Sequence, residues 1–105
     1  MRYDQNDISH LLSVLRTGRQ NAQTAGAIEI LLHRNFNFPI SGNQVQMRGL
    51  ITYAISNGHL IKSSTANPAG YWLENDPVEI RRYIVSLRRR AGRILQRAQN
   101  LEDNI

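Results

Sequence analysis

The chain has 105 residues, 41 % of them apolar, a net charge of +5 and no cysteine. Length and apolar content fit one folded domain with one core, and the missing cysteines exclude disulfides and thiolate metal sites. The stretch from Met1 to Asp7 has no apolar signal core and no run approaches membrane-spanning length, so the expectation is a cytoplasmic protein without a membrane role.

Asp7 is the expected cap of a first helix from Ile8 to about Arg16, in which Ile8, Leu11, Leu12 and Leu15 form one apolar stripe. Thr17 to Asn21 is a polar break around Gly18. Thr24 then caps a second helix whose inward residues are Ala27, Ile28, Leu31 and Leu32. Gly26 weakens that start by about 1 kcal/mol relative to alanine. From Asn35 to Ile40, apolar and polar residues alternate as in a short extended segment, and Pro39 ends any helical continuation. A helix-turn-helix needs a turn of only about three to four residues. The longer connection here implies an enlarged turn.

A third helix is expected from Ser41 to Asn57, stopped by Gly58. Its inward stripe is Met47, Leu50, Ile51 and Ala54. Asn43, Gln46, Arg48 and Thr52 lie on or near the outer face, Gln44 is borderline, and Val45 falls outside the stripe. Such groups suit base edges, since Asn and Gln pair bidentately with adenine and Arg with guanine. An ordinary solvated face has the same composition. A strand over His59–Ser63, a loop from Ser64 to Ala69 and a return strand over Gly70–Leu73 follow. In this hairpin Lys62, Ser64 and Asn67 are candidate phosphate contacts, with Arg19 in support, whereas Trp72 is expected to serve the core.

The terminal segment carries the charge. Val78 to Leu101 contains seven arginines against Glu79 alone, which leaves the remainder of the chain at −1. Asp76 is a suitable cap, Pro77 a suitable first residue, and Glu79 complements the helix dipole. Ile80, Ile84, Leu87, Ala91, Ile94, Ala98 and Leu101 recur at alternating spacings of four and three, a heptad seam with arginines around it. Such a seam packs on the domain body or zips to another copy. Its length of about 36 Å favours a homodimer. The arginines, Arg89 and Arg93 among them, suit phosphate contacts or a solvated face; near exclusion of lysine favours phosphate.

The motifs Arg48-x-Leu50-Ile51, Gly58-His59-x-Ile61-x-Ser63-Ser64 and Gly70-Tyr71-Trp72-Leu73, followed by Asn75-Asp76-Pro77-Val78-Glu79 and an Arg-rich helix, resemble small winged-helix proteins of bacteriophages and related mobile elements. The resemblance spans roughly residues 41–101 and implies DNA binding.

The expected architecture is mainly α with a small β-hairpin. A winged helix-turn-helix domain covers residues 1–76 and an amphipathic helix residues 77–105. His10, His33 and His59 are too far apart for a helical metal site, and no phosphate-loop pattern occurs, so neither an enzyme nor a cofactor or metal is expected. The leading expectation is a sequence-specific duplex DNA-binding protein, a phage regulator of transcription or a replication accessory factor. The alternative is a winged-helix module that binds a host protein, which the near-neutral third helix and Val45 favour.

Overall fold

The computed structural model describes residues 2–105 and divides into two compact units, Met1–Asn75 and Asp76–Ile105. It is mainly helical with a small two-stranded antiparallel sheet.

Helix α1 (Gln5–Val14) begins earlier than its apolar stripe suggests. Asp4, not Asp7, is the cap: its carboxylate accepts from the Asp7 N–H at 2.9 Å, while the Asp7 carboxylate accepts from the Asp4 N–H at 3.0 Å. This reciprocal arrangement satisfies two backbone donors at once and favours the upstream start. Ile8, Leu11 and Leu15 are buried as the stripe requires, and Val14 joins them.

Thr24 caps helix α2 (Ala25–Phe36) by accepting from the Ala27 N–H at 3.2 Å. Ile28 and Leu32 are buried, but Ala27 is exposed and Ala25 takes the inward position instead. The helix also runs through Asn35 and Phe36, residues that alternation assigns to an extended segment. It stops at Asn37, whose left-handed backbone (φ 55°) asparagine tolerates better than most residues. Phe36 therefore faces outward and stacks on His10 at 3.9 Å, Phe38 is buried, and Ile40 is exposed. Only one of the three alternating apolar residues belongs to the core.

A single tight turn, Gly42–Gln44, precedes helix α3 (Val45–Ser56). The Ser41 hydroxyl accepts from the Gln46 N–H at 3.0 Å, which fixes where α3 begins. Ser41 itself is held by its N–H to the buried Glu29 carboxylate at 3.3 Å. Met47, Leu50, Ile51 and Ala54 are buried against α1 and α2, as their spacing predicts. At the far end the His59 N–H bonds the Ala54 carbonyl and the Gly58 N–H that of Ile55, at 3.1 and 3.0 Å, with Gly58 at φ +94°. This double closure is the glycine-dependent helix stop.

Strands β1 (Ile61–Ser64) and β2 (Gly70–Leu73) form the hairpin, with Lys62 opposite Trp72 and Ser63 opposite Tyr71. The first strand starts two residues later than expected, because Gly58 and His59 still close α3. The other edge of β2 is also paired. Tyr71 exchanges backbone hydrogen bonds with Gln23 at 2.8 and 3.0 Å, and Leu73 bonds Arg16 and Gly18 at 2.8 and 3.0 Å. The return strand thus lies between β1 and the α1–α2 connection.

Gln23 ties this arrangement together, a role its sequence gives no sign of. Its buried amide donates to the Val14 carbonyl at 2.9 Å and accepts from the Arg16 N–H at 3.0 Å. Leucine there fills similar space but leaves two polar backbone groups unpaired, each costing about 1–3 kcal/mol. Gln23→Leu is therefore expected to destabilise the domain by about 2–4 kcal/mol, measured as a lower urea midpoint at unchanged slope.

The second unit is helix α4 (Pro77–Glu102). The Asp76 carboxylate accepts from the Val78 N–H at 2.9 Å, Pro77 occupies the first turn and Glu79 lies beside it. At 1.5 Å per residue the helix is about 39 Å long. No residue of α4 is buried.

Candidate nucleic-acid interface

The outward side of α3 carries Arg48 and Thr52, both exposed. Arg48 is held in place: Nε donates to the Asn43 carbonyl at 3.0 Å and a terminal nitrogen to the Tyr71 hydroxyl at 2.8 Å. The Thr52 hydroxyl donates to the Arg48 carbonyl at 3.2 Å. This positions a guanidinium on the helix surface with remaining N–H groups available to an acceptor.

Asn43 and Gln44 are not on the helix, contrary to expectation. Both have left-handed backbones (φ 55° and 53°), because the chain must turn between the Ser41 cap and Val45. They form a polar rim just ahead of α3. Gln46 is half-buried, and its carbonyl accepts from the Tyr3 hydroxyl at 2.8 Å. Burial, and to a lesser degree the Asp7 carboxylate, holds that hydroxyl above the usual phenol range, so it remains a neutral donor. The Tyr3 hydroxyl thus seats the N-terminal segment on the backbone of α3, with the Gln46 side-chain oxygen 3.5 Å from the same hydroxyl. Val45 is 59 % exposed at the mouth of the same rim.

The hairpin carries a second group. Alternation along β2 sends Tyr71 and Trp72 to opposite faces. Tyr71 meets Arg48, while Trp72 has two cations over its ring, Lys62 at 5.6 Å and Arg19 at 5.9 Å from the centroid. Arg19 also reaches the Ser64 hydroxyl at 3.5 Å, and that hydroxyl accepts from the Ala66 N–H at 3.0 Å. The indole is 1 % exposed, and its N–H has no hydrogen-bond partner among the described residues. Asn67 is exposed in the loop before a cis peptide to Pro68. Arg19, Lys62 and Ser64 thus share one face of the hairpin, and Arg48 belongs to the other. Linear sequence separates Arg19 from Lys62 by more than forty positions; only the pairing of β2 with the α1–α2 connection brings them together.

On α4, Arg89 and Arg93 are exposed, as are Ile84, Leu87, Ala91, Ile94, Ala98 and Leu101 of the seam; Ile80 is half-buried. Arg82 pairs with Glu79 at 2.9 Å, an exposed contact of small energetic worth.

Among the described residues no group of three His, Cys, Asp or Glu side chains is disposed to hold a metal ion, and no helix is long and apolar enough to cross a membrane. No family model, curated protein or solved structure matches the chain.

Proposed function

We propose that the first unit is a winged helix that binds double-stranded DNA in a sequence-dependent way, with α3 in the major groove and the hairpin as the wing. Support for the winged helix comes from the element order. A helix, an edge segment paired to the return strand, two further helices and a hairpin follow one another. The observation that carries DNA reading is Arg48, an exposed guanidinium on the outer side of α3 with its orientation fixed by Asn43 and Tyr71. Thr52 and the rim residues Asn43 and Gln44 would complete the reading surface. Arg19, Lys62, Ser64 and Asn67 would hold the phosphate backbone beside it. The arginines of α4 would add sequence-independent affinity, and its seam would pair two protomers. A phage regulator of transcription or a replication accessory factor is the role in keeping with this chemistry and with the resemblance of the motifs.

Selection of genomic fragments by the purified protein, read by sequencing, tests the proposal. A recovered motif is the expected result; recovery of fragments in proportion to their input would count against sequence reading. Arg48→Ala is expected to reduce preference for that motif over random duplex by about 10- to 100-fold, the worth of one bidentate base contact. An equal loss on every duplex would instead make Arg48 a backbone contact.

A second reading rests on Val45 and Ile40, which are 59 % and 60 % exposed around the entrance to α3. Apolar side chains there suit a host protein surface better than a groove lined by phosphates. A stoichiometric partner captured from host lysate in the presence of nuclease would favour this reading.

A further inference from the structure

The heptad seam of α4 distinguishes between the two ways a second copy can lie against it. Ile84, Ala91 and Ala98 occupy one core position of the heptad, and Ile80, Leu87, Ile94 and Leu101 the other. In a parallel pair each residue meets its own counterpart. Alanine then faces alanine at Ala91 and Ala98, between layers where isoleucine faces isoleucine or leucine faces leucine. Such a seam alternates between narrow and wide, and two straight helices cannot follow it without leaving gaps.

An antiparallel pair behaves differently. When Ala91 of one copy faces Ile94 of the other, Leu87 faces Ala98 and Ile84 faces Leu101 in the same register. Every alanine then meets a large side chain, and the four central layers each hold one small and one large residue. The flanks contribute in both directions. Arg81 of one copy falls beside Glu102 of the other, which attracts, while Arg90 falls beside Arg97, which repels. Both pairs lie at the solvent-exposed edge, where such charges count for little beside core packing. Ile84, Leu87, Ala91, Ile94, Ala98 and Leu101 are exposed, Ile80 being half-buried, which leaves the central layers available for this contact.

We propose that α4 pairs antiparallel with α4 of a second copy, with Leu87 of each chain set against Ala98 of the other. This deepens, and rests on, the dimer reading above: the occupant of the seam is a second copy, and its direction follows from the order of small and large residues. The two-fold axis crosses the rod between Gly92 and Arg93. The Pro77 ends lie about 46 Å apart at 1.5 Å per residue, whereas parallel pairing would set them side by side.

The cysteine-free chain makes the test direct. Sedimentation of the unmodified full chain at tens of micromolar is expected to give a dimer. Leu87→Cys chains are then mixed with size-tagged Ala98→Cys chains under oxidised glutathione. A covalent heterodimer in the mixture, with neither variant cross-linking to itself, is the expected result. A Leu87→Cys homodimer from a dimeric protein overturns the antiparallel direction and leaves the dimer reading standing. A monomer in sedimentation overturns both. If a cysteine weakens the seam, a spin label at Arg82→Cys, on the outer side of α4, gives the same decision. Two labels about 30 Å or more apart support the proposal, and about 20 Å or less overturns it.

Discussion

Replacing Gly70 with alanine is expected to lower the thermal midpoint of the first unit by about 15 °C or more. Gly70 has φ +129°, a backbone state that side chains rarely adopt, and a Cβ there would run into the Gln23 carbonyl. The strained backbone costs on the order of 1–3 kcal/mol. Relieving the clash means pushing β2 off the α1–α2 connection and losing the paired Gln23–Tyr71 hydrogen bonds, at about 1 kcal/mol each. For a domain of this size 1 kcal/mol shifts the midpoint by about 4–8 °C. Gly58 provides the control. Its φ of +94° is also unfavourable for alanine, but nothing lies within contact distance of its missing side chain. Gly58→Ala should therefore cost only the backbone strain, about 1–2 kcal/mol. Equal midpoints for the two variants, by calorimetry, would mean that the approach of Gln23 to Gly70 contributes nothing.

Replacing Arg89 and Arg93 together with glutamine is expected to weaken binding to every duplex alike, by about 30-fold at physiological salt. Each phosphate neutralised releases counterions and steepens the logarithmic salt dependence by about 0.9, so two lost contacts flatten it by about 2. Both residues are exposed and neither occupies a seam position, so α4 and its proposed pairing should survive the change. The effect contrasts with that of Arg48→Ala, which alters preference and not the salt slope. Titrations of motif and random duplex at several salt concentrations separate the two. An unchanged slope in the glutamine variant would make these arginines a solvated face.

Periodicity located the helices well because burial of one stripe sets both the pattern and the packing. Met47, Leu50, Ile51 and Ala54 were legible on α3 for this reason, as were Thr24 and Asp76 as caps and Gly58 as a stop. Structure and local pattern differ where a short-range rule has a competitor. Alternation at Phe36, Phe38 and Ile40 imitates a strand, but α2 continues to Phe36 and is closed by the left-handed Asn37, whose N–H bonds back to the His33 carbonyl. Asp7 looked like a cap because it precedes the stripe, yet Asp4 reaches it reciprocally. In the candidate interface, Arg48 was legible from its place opposite the stripe. Asn43 and Gln44 were not, since nothing local shows that Ser41 caps Gln46 and forces a left-handed turn between them. Gln23 and the meeting of Arg19 with Lys62 depend on β2 having a second paired edge, which is a property of topology and not of spacing.

Trp72 is the sole tryptophan of the chain, and its ring lies within 5.9 Å of both Arg19 and Lys62, with no partner for the indole N–H among the described residues. The ring's ultraviolet emission is therefore a private signal from one spot on the hairpin. An anion that draws either ammonium or guanidinium away from it alters the local field without touching the ring. The molecule thus contains its own optical gauge of what meets this face of the hairpin, one that needs no attached dye.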